Sequence, residues 1–306
     1  MEIRVIGRSV LAGLIAGVLG FIFSYIFAEP VVQKAIDYES ERDDILSEMN
    51  KAAGLPIQPD GPEIFSRGIQ STVGIATGII GMSVAFAALV AVAFLILHGR
   101  YQVRPQTLVW GIAAFGFTGI FLLPYVKYPS NPPAIGHTFT IQARGALYLS
   151  LVVVSVILVI AGFMLARRFR PRFGWGRAIL LAVGIVFVVY CIVIGVLPSL
   201  GNLQANIDMS TSLGYARAAT ETPQPILNIL NQTISIDGVT YAPGQVVYPG
   251  FDADLLWKFR WYSLINQLLI WTTIALVFGA LVEKFLKPKG ADDRQVAEAL
   301  KSTTMV

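Results

Sequence analysis

Six long apolar runs, at about 7–28, 68–97, 108–126, 146–166, 179–197 and 261–282, are separated by segments rich in charge, proline and glycine. Each run is near or above the ~20 residues that a helix needs to cross a hydrocarbon core. In lipid the backbone must satisfy its own hydrogen bonds, so runs of this length predict helices and not strands. The pattern predicts an all-α polytopic membrane protein with six transmembrane helices on one membrane domain, 1–306. The first run is long for a signal-peptide core, and Glu29-Pro30 is a poor cleavage site, so it reads as an anchor.

The connections add detail. Two are large, at 29–67 and 198–260. In the first, Lys34 to Ala53 predicts a helix stopped by Gly54 and Pro56. Asp37, Glu41, Asp44 and Glu48 recur at i, i+4, i+7 and i+11, which gives that helix one acidic stripe: usually a solvated face, less often a cation-collecting surface. In the second, residues 233–241 alternate apolar and polar positions around Asp237-Gly238, predicting a short β-hairpin in a small extracytoplasmic subdomain. Gly13 and Gly17 form a small-xxx-small pair for close helix packing. Gly68, Gly74, Gly78 and Gly81 likewise read as a helix interface in preference to a glycine-lined pore.

Charge then orients the chain. When alternate connections are assigned to one side, that side carries 14 of the 23 Lys+Arg residues and five acids. Its bases include Arg100, Arg104, Arg167, Arg168, Arg170, Arg172 and Arg177 and the tail residues Lys284, Lys287, Lys289, Arg294 and Lys301; its acids include Asp292, Asp293 and Glu298. The opposite side is net acidic, with Asp60 and Glu63 among its acids. The bias of basic residues in short loops predicts N-in/C-in topology in a bacterial inner membrane, with a cytoplasmic tail at 283–306. Those arginines suit anionic lipid headgroups of the bilayer, so a pI near 9.2 gives no reason to invoke nucleic acid. Cys191, the single cysteine, reads as an apolar packing residue within the fifth span.

Candidate chemistry is sparse. The interiors of the six runs contain no Asp, Glu, Lys or Arg, whereas ion-coupled carriers usually hold ionisable groups at mid-membrane. His98, followed by Gly99-Arg100, reads as an interfacial residue, and His137 is the better placed of the two histidines. No metal-site spacing, nucleophile elbow, phosphate loop or dinucleotide fingerprint occurs, so nothing argues for an enzyme. Polar residues do gather at the outer ends of the spans: Arg67 and Gln70, Gln142 and Arg144, and Trp257 to Tyr262 including Arg260. Glu29, Asp252 and Asp254 are acids available to pair with them. Ordinary interfacial anchoring and an ion-paired outer vestibule both fit this clustering.

In these segments the chain resembles the CbtA family, membrane proteins assigned as predicted cobalt transporter subunits. The blocks that carry the resemblance are Gly13-Leu-Ile-Ala-Gly17, Glu29-Pro30, Ala35-Ile-Asp-Tyr-Glu39, Ser66-Arg67-Gly-Ile-Gln70-Ser-Thr-Val-Gly74 and Gly99-Arg100. They continue with Trp110-Gly-Ile-Ala-Ala-Phe115, Leu123-Pro124, Tyr128-Pro-Ser-Asn-Pro-Pro-Ala-Ile-Gly136, Gln142-Ala-Arg144, Leu255-Leu-Trp-Lys-Phe-Arg260 and Leu276-Val-Phe-Gly279. Pro198 is followed by Ser199, where many family members place a histidine.

The resemblance implies a membrane subunit of a divalent-cation (cobalt) uptake system, acting with a small single-span histidine-bearing partner. Cations gathered at an acidic outer face would meet His137, Glu29 and Asp254 as weak metal ligands. Arg67, Arg144 and Arg260 would hold the vestibule by ion pairing, beside Gln70 and Gln142. No cofactor is expected to stay bound, and Co²⁺ or Ni²⁺ is the expected cargo. The competing expectation is an accessory subunit of a larger membrane complex, packed through Gly13, Gly17, Gly74 and Gly78.

Overall fold

The computed structural model describes residues 2–56 and 65–286. Asp60, Glu63, Lys287, Lys289, Asp292, Asp293, Arg294, Glu298 and Lys301 lie outside the described residues. The chain is mostly helical, with several long apolar helices and a small β region, in line with the expected fold class. The helices are α1 (Glu2–Phe23), α2 (Glu29–Ala52), α3 (Arg67–Ile69), α4 (Ile75–Leu97), α5 (Pro105–Gly116), α6 (Leu123–Lys127), α7 (Ile141–Val196), α8 (Gln204–Asp208) and α9 (Ala253–Leu286).

Single π-helical turns at Ser24–Ala28, Gln70–Gly74 and Phe117–Leu122 join α1 to α2, α3 to α4 and α5 to α6. Two of these wide turns are followed within two residues by a proline, Pro30 or Pro124. Proline has no N–H to return to the preceding turn, and a widened turn accommodates that loss without breaking the helix. Helix therefore does not stop with the first apolar run and restart at Lys34: it continues through Glu29-Pro30 to Ala52, close to the predicted stop before Gly54, whose φ is +70°.

Among the described residues, five helical stretches are long and apolar enough to cross a membrane, and one of them, Thr138–Thr211, contains both the fourth and fifth apolar runs. Its long helix α7 breaks at Gly174 (φ 73°, ψ 170°), three residues after Pro171. Pro171 clashes with the turn before it, and glycine alone takes the positive φ at no steric cost. The two arms then pack together, with Gly162 against Val186 and with Leu151 and Tyr190 buried in one cluster. Arg170 and Arg172 lie over the rings of Trp175 and Phe173 at this reversal.

The chain divides into two compact units. The first takes residues 1–20, 76–114 and 269–306. Here Gly13 and Gly17 let α1 meet α4 backbone to backbone: a Cβ on either would lie 2.7 Å from the Cα of Val84 or Ile80. The Cβ of Ala87 lies 2.9 Å from where a Cβ on Gly13 would be, and Ala12, Ala16 and Ala91 are buried as well. Phe94 meets Phe278 edge to face, and Glu283 accepts the backbone N–H of Gln106 at the start of α5, where a negative charge suits the helix dipole.

The second unit takes residues 21–75 and 115–268. Its β region has two antiparallel pairs, β1 (Ile226–Leu227) with β4 (Val246–Tyr248) and β2 (Ile234–Ile236) with β3 (Val239–Tyr241). The β2–β3 hairpin turns at Asp237-Gly238, where both residues have positive φ, as the sequence predicts. Ile226, Ile234, Ile236 and Val247 bury themselves with Met49 and against Ile45 and Leu46 of α2. The acidic stripe of α2 stays exposed.

Gly17→Val is expected to force α1 and α4 apart and destabilise the chain by about 1–3 kcal/mol, read as a lower unfolding temperature in detergent. Gly78, whose Cβ would meet open space, is the control: Gly78→Ala should leave that temperature unchanged or raise it. Equal effects from both would show that the α1–α4 seam is not tightly packed.

Candidate functional site

Glu221 is the most deeply buried acid among the described residues, 1% exposed, with its backbone held at φ +56°. A carboxylate taken from water must be matched by donors and charge. Asn206 donates to Oε1 at 2.8 Å, and the Thr140 hydroxyl donates to Oε2 at 2.8 Å. Arg144 brings its Nε within 3.1 Å of Oε2, close enough for an ion pair, although that N–H is not aimed for a hydrogen bond. The same arginine donates through Nη2 to the carbonyl of His137, and Tyr215 donates to Oδ1 of Asn206. One carboxylate thus ties the start of α7 to α8 and, through Asn206, to Tyr215.

The proline-rich loop from Tyr128 to Gly136 is held beside it. Asn131 donates to the Thr220 carbonyl, one residue before Glu221, and accepts from Nη2 of Arg260 at 3.0 Å. Tyr128 donates to the Pro198 carbonyl, and Tyr125 donates to the Arg260 carbonyl. A third cluster joins α2 to α3: Arg67 pairs with Glu29 and donates from Nε to Gln33 at 3.1 Å.

These elements line an open cleft of about 1150 Å³ that lies wholly within the second unit. Aromatic and proline side chains of α6 and the Tyr128–Gly136 loop make much of its wall. Arg67, Gln70 and Arg144 contribute polar groups, and Glu39 is the acid among the lining residues.

The expected vestibule residues are therefore placed unequally. Arg67, Gln70 and Arg144 line the cavity; Arg260 reaches it through the lining residues Ser130 and Asn131; Gln142 is exposed on α7 and is not part of the wall. The expected metal ligands occupy three separate settings. Glu29 is engaged with Arg67, and His137 stacks on Phe139 beside Tyr215. Asp254 is exposed on the first turn of α9 and gives its N–H to Asp252. Among the described residues, no group of three or more His, Cys, Asp or Glu side chains is placed to hold a metal ion. Of the packing glycines, Gly13 and Gly17 are consumed by α4, while Gly78 faces open space.

Sequence reasoning missed Glu221, Asn206, Thr140 and Tyr215. They are scattered over some eighty residues and form no spacing pattern. Nothing in Thr220-Glu221-Thr222-Pro223 separates a buried acid from a surface one.

Burial lowers the His137 pKa from its ordinary 6.5; nearby Arg42 and Arg144 act the same way, against an opposing pull from Glu221. The imidazole is thus neutral at pH 7, the form that offers a lone pair to a metal. Burial raises the Tyr248 hydroxyl, and so does its hydrogen bond to Glu41, fixing it as a donor.

Two outcomes are expected. Glu221→Gln should lower stability by about 3 kcal/mol, because it leaves the partly buried Arg144 uncompensated; an unchanged denaturation midpoint would remove Glu221 as the hub. For His137, the unfolded imidazole takes up a proton near pH 6.5 while the folded one resists. Native stability should therefore be full above that pH and decline as pH falls below it. Melting curves from pH 7.5 to 5 should flatten in His137→Phe, and an unaltered slope would contradict the assignment.

Neither a curated protein nor a solved structure matches the chain. A family model does: CbtA, described as "Probable cobalt transporter subunit", matches residues 2–283. With nearly its whole length matched, the chain belongs to the CbtA family, whose members are transporter subunits and not enzymes.

Proposed function

We propose that this chain is a six-span, N-in/C-in subunit of the bacterial inner membrane through which cobalt, or the chemically similar nickel, is admitted. The observation that carries the reading is the cavity of the second unit, on whose wall Arg67, Gln70 and Arg144 converge from three different helical elements. The reversal of α7 at Gly174 supports counting its two arms as separate spans. The arginines around that reversal support placing it on the cytoplasmic side. The second unit then receives the metal from outside.

Its exposed acidic stripe on α2 raises the local concentration of divalent cations, a screened and weak attraction. His137, kept neutral, gives the metal one imidazole, and Glu29 and Asp254, each in its own setting, give weak oxygen contacts at other points of the path. Such ligands favour Co²⁺ and Ni²⁺ over magnesium without trapping them. Arg67 and Arg144, engaged by Glu29 and Glu221, shape the wall and do not touch the cation. A small histidine-bearing membrane partner supplies the remaining imidazoles.

In cells depleted of other cobalt importers, His137→Ala should reduce ⁵⁷Co accumulation several-fold more than His98→Ala. His98 stacks on Phe94 and serves as the structural control. Equal, negligible effects would remove His137 from the path. A mild-detergent pull-down that recovers a large complex and no cobalt would replace uptake with an accessory role.

A further inference from the structure

The cleft of the second unit holds one charge that its wall leaves unanswered. Arg67 and Arg144 line it, but Glu29 and Glu221 engage them, so both lining cations are already matched. Arg260, behind the wall, gives its N–H groups to oxygens of Ser130 and Asn131. Glu39 is the acid among the lining residues, and among the described residues no basic side chain lies within ion-pairing distance of it. Burial and the like charge of Asp43, one turn on along α2, both raise its pKa, with no lowering pull from a base.

Position gives that charge a use. Gln33, Ile36 and Glu39 make the side of α2 that lines the cleft, apart from the exposed stripe of Asp37, Glu41, Asp44 and Glu48. Much of the remaining wall is aromatic or proline, Phe121, Pro132 and Pro133 among it, and low-dielectric walls focus the field of a fixed charge. A cation relieves the repulsion between Glu39 and Asp43, and a divalent ion gains twice what a monovalent one does. Such an ion keeps its water here, because among the described residues no three ligating side chains stand together to replace the shell. Bound waters donate hydrogen bonds, which the Glu39 carboxylate accepts. So does the oxygen of Gln70, a lining amide that spends an N–H on the Phe65 carbonyl.

We infer that Glu39 holds a hydrated divalent cation in this cleft, by charge and not by metal identity. The inference rests on the uptake reading for the direction of travel and adds the acid that receives the ion.

The test titrates the full chain, in nanodiscs of zwitterionic lipid, with Mn²⁺, a dication that carboxylate and water suit. Binding is read as loss of the free-ion EPR signal. Glu39→Gln should weaken it about tenfold, whereas Glu39→Asp, which keeps the charge, should stay close to wild type. Asp44→Asn removes the same charge from the exposed stripe and should change little. Without metal, Glu39→Gln should melt no lower than wild type, since the acid has no cation to lose. Both Co²⁺ and Mg²⁺ should displace the probe. Indifference to Glu39→Gln, an equal loss in Asp44→Asn, a lowered metal-free melting temperature in Glu39→Gln, or failure of Mg²⁺ to compete would each overturn the inference. Cellular ⁵⁷Co accumulation separates the two proposals. Glu39-dependent binding in a chain that moves no cobalt supports the site and overturns the uptake reading. Cobalt uptake that Glu39→Gln leaves undiminished overturns the role of Glu39 and leaves uptake standing.

Discussion

A carboxylate cannot leave water unaccompanied, and the second unit is organised by that rule. Glu221, from a stretch of chain with no helix or strand of its own, draws an amide, a hydroxyl and a guanidinium from three separate elements. The contacts are mutually dependent: without Arg144 the acid lacks its counter-charge, and without the acid Arg144 loses its own and keeps the hydrogen bond to the His137 carbonyl. Because Thr220 next door holds Asn131, the same centre also fixes the proline-rich loop that walls the cavity. The first unit follows a different rule, close apposition of backbones across glycine and alanine, with few polar groups at stake.

Much of this was legible in the sequence, and for identifiable reasons. Apolar runs of membrane length have few alternatives to helix, so the long helices follow from composition alone. The Asp237-Gly238 hairpin was legible because two positive φ angles in succession have a narrow chemical signature. Gly13 and Gly17 were legible as a close-packing pair, since spacing places both on one face, although the partner, α4 of the same chain, was not. The α1–α2 continuity was hidden because a proline after an acid reads as a terminator, and a π-turn that absorbs it leaves no mark in the residue pattern. The site was hardest. Arg67, Gln70 and Arg144 could be grouped as polar residues at span ends, but Glu221, Asn206 and Tyr215 meet only through the tertiary path of the chain.

The CbtA family is that of a probable cobalt transporter subunit, and the geometry of the second unit adds a separate constraint. The charged groups on and behind the cavity wall are largely engaged with each other: Arg67 with Glu29 and Gln33, Arg144 with Glu221, Arg260 with Asn131. Side chains committed in this way give a wall of fixed shape, and selectivity at such a wall comes from fit and hydrogen bonding more than from net charge.

The turn at Gly174 has a mechanical meaning. From Arg144 to Phe173 the first arm of α7 runs without interruption, about 44 Å at 1.5 Å per residue. A rigid rod of that length pivoting by about 5° at its base swings its far end by about 4 Å, enough to part an arginine from a carboxylate. The second arm, packed along the first through Val186 and Tyr190, braces that rod, so the Arg144–Glu221 pair is held in register from the reversal as well as by its own contacts.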